Sequence, residues 1–240
     1  MRNPLSQARR PSGDAGLTLV EMLTAMVVGS IVMSAAFVMF TTAQRANATS
    51  IARQETVNQA KVSVEAIGRN LRTAIQPNQL EDTSSTDVAF VQGGPRAVAF
   101  YANVDNVDNL IGPSRVTYAV DASSRLVQTI QRPLPHAATD HNYQYCDPSL
   151  ASCAKSIQVL ATGVDPAAQL FTYYDDQEAV LVFDPTCTCL TATNLGVVSS
   201  VEVKLVLTTQ AAVGATAVAS TTYVLRIGLP NRDSVVREHT

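Results

Sequence analysis

Glu21 is the residue most in need of a chemical explanation. It is the only charged residue between Asp14 and Arg45, and it stands at the start of a long apolar run. A lone carboxylate there is costly in lipid, so it calls for a partner and a function. The other candidates lie far along the chain. Cys146, Cys153, Cys187 and Cys189 are all in the C-terminal half. Their spacings, C-x6-C and C-x-C, do not form the two C-x2-C pairs of a structural zinc site. An even count confined to one region suits disulfides if that region is exported. In an extended segment Cys187 and Cys189 share a face, with Cα atoms near the upper limit for a bond, so joining them needs a bent backbone. The expected pairing therefore joins the 146/153 cluster to the 187/189 cluster. The competing pattern is one local bond in each.

Weaker constellations surround these. His136, Asp140, His141 and Asp147 flank the first cysteine pair, and solvated loop residues are the better reading than a metal site. Asn103-Val104-Asp105-Asn106-Val107-Asp108-Asn109 offers oxygens to calcium but lacks the full EF-hand spacing, so an Asx-rich turn is preferred. Asn47-Ala48-Thr49 has the form of a glycosylation acceptor, but it falls in a predicted helix and is discounted. Asp175 and Asp176 are adjacent on a predicted turn. There is no Gly-x-Ser-x-Gly, no phosphate loop and no carboxylate pair in a catalytic setting. The expectation is a protein that is not an enzyme and needs no cofactor or metal. A net charge of −3 without a Lys/Arg cluster argues against nucleic acid as a partner.

The chain around these residues reads as a leader, a long helix and a β-rich head. Residues 1–16 are the leader: Arg2, Arg9 and Arg10 outweigh Asp14, and Pro4, Pro11 and Gly13 oppose regular structure. A basic flank stays in the cytoplasm, so the chain beyond the apolar run is exported. A secretory signal carries its small residue after the apolar core. Here Gly16 precedes the core, so cleavage there leaves the apolar segment attached as an anchor, and an uncleaved signal anchor is the alternative reading. Residues 17–40 contain no proline and span about 36 Å as a helix, enough for a bilayer core. Ala25, Gly29, Ser30, Ser34, Ala35 and Ala36 let another helix approach closely.

Helix continues over residues 41–76. Val57, Ala60, Val64, Ile67, Leu71 and Ala74 are spaced by threes and fours, which makes one narrow apolar stripe on a polar helix. A coiled coil shows the same stripe, but it is short and a β-rich region lies directly after it, so packing on a sheet is preferred. Pro77 ends the element at Gln76. Residues 17–76 thus predict one helix of about 90 Å. From residue 77 the pattern turns to strands at 88–91, 97–101, 116–120, 126–130, 158–162, 170–174, 180–183, 197–207 and 217–227. Residues 133–156 form a long cysteine-bearing loop. The fold class is α+β: a long N-terminal helix on an antiparallel β-sheet head, residues 77–240.

Gly16-Leu17-Thr18-Leu19-Val20-Glu21-Met22-Leu23 resembles the class III signal of type IV pilin-like proteins, and the leader–helix–sheet layout is similar to theirs. Within that superfamily the head is most similar to the large minor pilins and pseudopilins labelled W and J. Residues 159–164, 170–175, 201–207 and 225–231 carry this narrower likeness.

The resemblance implies that a prepilin peptidase cuts between Gly16 and Leu17 and methylates the new Leu17 amine. It implies that Glu21 pairs with the N-terminal ammonium of a neighbouring subunit. It also implies other minor pilins and a major pilin as partners through the helix, an inner-membrane assembly platform, and the lipid bilayer before assembly. The head would then be periplasmic at first and at the cell surface within a fibre. Leu17 replaces the family's usual Phe, and Val38 stands where many major pilins have a kinking proline. Both departures imply a minor subunit. The outermost tip subunit often lacks the acid, so Glu21 implies a place below another subunit. A J-like pseudopilin of a type II secretion system and a tip-exposed adhesive module are the alternatives.

Overall fold

A computed structural model of the chain describes residues 18–79, 88–106, 111–135, 143–208 and 220–231. The chain divides into two compact units, residues 1–48 and 49–240. Helix α1, Leu19–Arg72, begins in the first and ends in the second.

In the first unit, α1 starts where Thr18 caps it. The Thr18 carbonyl accepts the Met22 N–H at 3.1 Å, and its Oγ1 accepts the Glu21 N–H at 3.3 Å. These bonds satisfy two of the donors that a helix N-terminus leaves open. The apolar run predicts helix from Leu17. The cap sets its start at Leu19, and Gly16 and Leu17 lie outside the described residues. Large apolar side chains from Leu19 to Phe40 are all exposed. The best 18-residue window of α1 has a mean hydropathy of 2.2 and is 0% buried, so a single apolar N-terminal helix supports a membrane-anchored topology.

In the second unit, α1 buries Ala60, Ser63, Val64, Ile67, Gly68 and Leu71. The predicted stripe is largely borne out, but it starts at Ala60, because Val57 is 42% exposed. The helix stops at Arg72, before Gln76. The backbone leaves it to meet β2 (Ala97–Ala102): Ala74 bridges Ala102, and the Ile75 N–H donates to the Tyr101 carbonyl at 3.0 Å. Pro77 opens a short 3-10 turn, Pro77–Gln79, where its missing N–H costs nothing.

Two antiparallel sheets make the rest. The first has the order β1 (Phe90–Gly93), β2, β3 (Ser114–Val120), β4 (Leu126–Gln131) and β5 (Lys155–Ala161), so each strand pairs with the next. The second has the order β6 (Phe171–Tyr174), β7 (Ser200–Thr208) and β8 (Ser220–Gly228). Between β6 and β7, Thr191 caps a short helix, α2 (Ala192–Val197). The expected long helix on an antiparallel β head is present, with the strands divided between two sheets. The expected strand at 180–183 is absent. Val180 makes an isolated bridge to Tyr174 across the sharp turn at 175–179, where Glu178 has φ 64°, and the Leu181 N–H donates to the Tyr173 carbonyl at 2.9 Å without extending into a strand.

A shared core joins the layers. Phe90, Phe100 and Tyr118 line the inner face of the first sheet, and Val201, Val203, Leu205 and Leu207 line that of the second. Tyr173 links the sheets: its ring meets Phe90 edge-on at 6.5 Å, and its hydroxyl donates to the Gly94 carbonyl at 3.0 Å. The stripe of α1 reaches both sheets through small residues. The Ser63 hydroxyl is 2.9 Å from the Leu160 carbonyl of β5. Gly68 lies against β8, where a Cβ would sit 3.3 Å from Leu225 Cδ2 and 3.4 Å from Ile227 Cγ1.

That approach yields a test. Gly68→Ala should change stability by less than about 1 kcal/mol, because better helix propensity offsets a squeeze of a few tenths of an ångström. Gly68→Val should cost about 1–3 kcal/mol by overfilling the contact. Thermal melting of the detergent-solubilised full chain measures both.

Candidate functional site: an acid-bearing apolar helix and two disulfide loops

Glu21 sits in the first turn of α1. Carboxylates are favoured near a helix N-terminus, where backbone N–H groups carry partial positive charge. Thr18 at the cap with Glu21 three residues later is the capping-box pattern, and the Thr18 half of that box is formed. Sequence reasoning misses the role of Thr18, although the T-x-x-E spacing before an apolar run is a signal for it. The capping hydroxyl belongs to Thr18, so the helix start does not depend on Glu21's charge.

The apolar segment keeps its polar groups internal. The Ser30 hydroxyl donates to Val27 at 2.8 Å, Ser34 to Ser30 at 2.7 Å, and Thr41 and Thr42 both to Val38. Hydroxyls satisfied within their own helix remove a cost that lipid would otherwise impose. A Cβ added at Gly29 meets nothing within 4 Å, so no contact among the described residues explains its size.

The cysteines pair locally: Cys146 with Cys153 and Cys187 with Cys189, at Cα separations of 5.5 and 5.1 Å. The expected pairing across the clusters is therefore wrong. Cys146–Cys153 lies beside Gln131, whose amide donates to the Cys146 carbonyl at 3.0 Å, at the end of the first sheet where β2 finishes. Cys187–Cys189 lies at the other end, where the Leu190 N–H donates to the Gly93 carbonyl at 2.7 Å. A strand the length of β2 separates them by about 17 Å, far beyond what a disulfide can bridge. The bend that a local Cys187–Cys189 bond requires is present: Thr188 has φ 51°.

Other sequence candidates resolve less sharply. His136, Asp140 and His141 lie outside the described residues, as do 107–109 of the Asn103–Asn109 run. In the described part of that run, the Asn106 carboxamide oxygen accepts N–H groups from Ile111 and Gly112 at 2.9 and 3.1 Å, and its amide donates to Asn103 at 2.9 Å. These bonds tie Asn106 to the backbone five and six residues on, whereas an Asx turn joins the side chain to the N–H two residues on. Asp147 accepts the Ser149 N–H and hydroxyl, both at 2.8 Å, which hold its carboxyl below the usual range. Asp175 accepts N–H groups from Gln177 and Ala179 and so closes the turn after β6. Among the described residues no group of three or more His, Cys, Asp or Glu is arranged to hold a metal.

Two buried tyrosines act as structural struts. Burial pushes both hydroxyls well above the usual range. Tyr118 accepts from Asn70 of α1 at 2.8 Å and from Gln128 at 3.1 Å, so it ties the helix to the first sheet.

Residues 11–37 match the family model for the prokaryotic N-terminal methylation motif. No curated protein matches the chain. The motif is diagnostic of class III prepilins and implies processing by a prepilin peptidase in a pilus-assembly context. The pilin-like fold is that of a structural, non-catalytic family. That motif stands at the head of a long apolar helix whose later turns are set on an antiparallel β head, so the chain carries the diagnostic N-terminal signal of class III prepilins on a layout that matches the pilin α+β fold.

Proposed function

We propose that the chain is a minor pilin that primes or supports type IV pilus assembly near the fibre tip. On this reading residues 1–16 are removed between Gly16 and Leu17, and the Leu17 amine is methylated. Residues 17–40 anchor the subunit in the inner membrane and later pack in the fibre. Residues 41–76 carry the helix into the head, and residues 77–240 are exported. The peptidase, the other pilins and the assembly platform are the partners. The observation that carries the reading is Glu21, a lone acid in the first turn of an exposed apolar helix inside the matched motif. Leu17, and Val38 in place of a proline, favour a minor subunit.

Mass spectrometry of a sheared surface fraction tests it. The expected N-terminus is methylated Leu17. An intact Met1 found only in the membrane would reject the reading. Deletion of the chain should abolish pili. Normal pili with impaired protein secretion would point to the pseudopilin role, and normal pili with lost surface attachment to the adhesive one.

A further inference from the structure

The two disulfides differ in what surrounds them. Cys153 is 6% exposed and Cys146 is half-buried, and their bond closes the loop before β5. Cys187 is exposed and Cys189 half-exposed, and their bond encloses one residue. A cross-link this short removes little freedom from an unfolded chain, so it adds little to stability. The residue it encloses, Thr188, is β-branched and held at φ 51°, where L-residues meet their own carbonyl oxygen.

The neck of this loop is fastened without the sulfurs. The Asp184 N–H donates to the Cys189 carbonyl, and the Thr188 N–H to the Asp184 carbonyl, each at 2.8 Å. The Asp184 carboxylate accepts the Thr186 hydroxyl at 2.6 Å and its N–H at 2.8 Å, and these bonds hold its carboxyl below the usual range. Leu190 is 3% exposed, packed beside Gly93. Opening the bond therefore frees Cys187 and lets Thr188 give up its own bond and its φ of 51°, while the Asp184 bonds to Cys189 and Thr186 and the buried Leu190 keep the loop docked.

We propose that Cys187–Cys189 is a thiol–disulfide exchange site for a protein dithiol in the exported compartment. A thiolate of the dithiol attacks the exposed Cys187 Sγ. The bond to Cys189 breaks, and Cys189 leaves as a thiolate that takes up a proton. The second thiol then attacks the mixed disulfide, releases Cys187 and becomes part of the dithiol's own disulfide. Two electrons pass to this chain, and the dithiol is oxidised. Exposed disulfides held on a strained backbone are the ones that exchange most readily.

The test is a dithiothreitol titration of the folded, detergent-solubilised full chain, with acid quench, alkylation and peptide mass spectrometry. Cys187 and Cys189 should become alkylated at about ten-fold lower reductant than Cys146 and Cys153, with no change in far-ultraviolet circular dichroism. Thr188→Asn, which tolerates the left-handed backbone, should raise the Cys187–Cys189 midpoint about five-fold. The proposal is overturned if both pairs open together, if Cys146–Cys153 opens first, or if Thr188→Asn leaves the midpoint unmoved.

Discussion

Glu21→Ala is expected to remove the chain from the sheared fibre fraction, by about ten-fold or more, while its level in the inner membrane stays the same. The cause is the cost of the charge. A carboxylate at the head of an apolar helix loses its water when that helix enters a bundle of others. In low dielectric its attraction to a cation is large, but so is its desolvation, so pairing sets register between helices as much as it adds stability. The proposed cation is the methylated ammonium of a neighbouring subunit. Glu21→Gln separates this from a purely local role. Gln suits the third position of a capping box, and the Thr18 hydroxyl still accepts the backbone N–H at position 21. If Glu21 only helps the helix start, the Gln chain should assemble normally. If it pairs with another subunit, the Gln chain should fail like Ala, and Glu21→Asp should recover part of the signal. Immunoblots of sheared and membrane fractions read all three. A Gln variant that assembles at the wild-type level would sink the pairing.

The parts of the fold that are legible in the sequence are those ruled by periodicity. The apolar run and the stripe from Ala60 to Leu71 follow from spacing, and the alternation along β7 places Val201, Val203, Leu205 and Leu207 inside. Boundaries set by tertiary partners are not legible. Pro77 is a visible stop, yet α1 ends at Arg72, because Ala74 finds a backbone partner in Ala102, far along the chain. The division of the strands into two sheets depends on which edges meet, and local patterns do not carry that. The cysteine pairing fails for the same reason. Proximity in sequence to a long loop says nothing about which end of the first sheet each cluster occupies. Thr188 shows the limit well: a β-branched residue at positive φ is locally disfavoured, so propensity argues against the bend that closes the bond. At the N-terminus motif and chemistry coincide, and Glu21 stands out by its isolation alone, as the single charge between Asp14 and Arg45.

Leu71→Ala is expected to destabilise the head by about 2–5 kcal/mol, whereas Val57→Ala should change it by less than about 0.5 kcal/mol. Both residues belong to the stripe read from spacing, and the sequence alone treats them as equivalent. The structure does not: Leu71 is 0% exposed within a core shared with both sheets, while Val57 is 42% exposed. Removing Leu71's side chain loses its transfer from water and leaves a cavity that rigid sheets cannot fill. For a head of this size each kcal/mol moves the melting temperature by about 2–4 °C, so the two variants should be easily separated by thermal melting in detergent. The pair of variants also decides what the stripe is for. In a coiled-coil dimer, Val57 would occupy the same seam as Leu71, and its truncation would be felt as strongly. Equal losses would mean that another helix covers Val57 in the native assembly. Unequal losses would confine the stripe's work to the head and leave the lower turns of the helix free for contacts with other subunits.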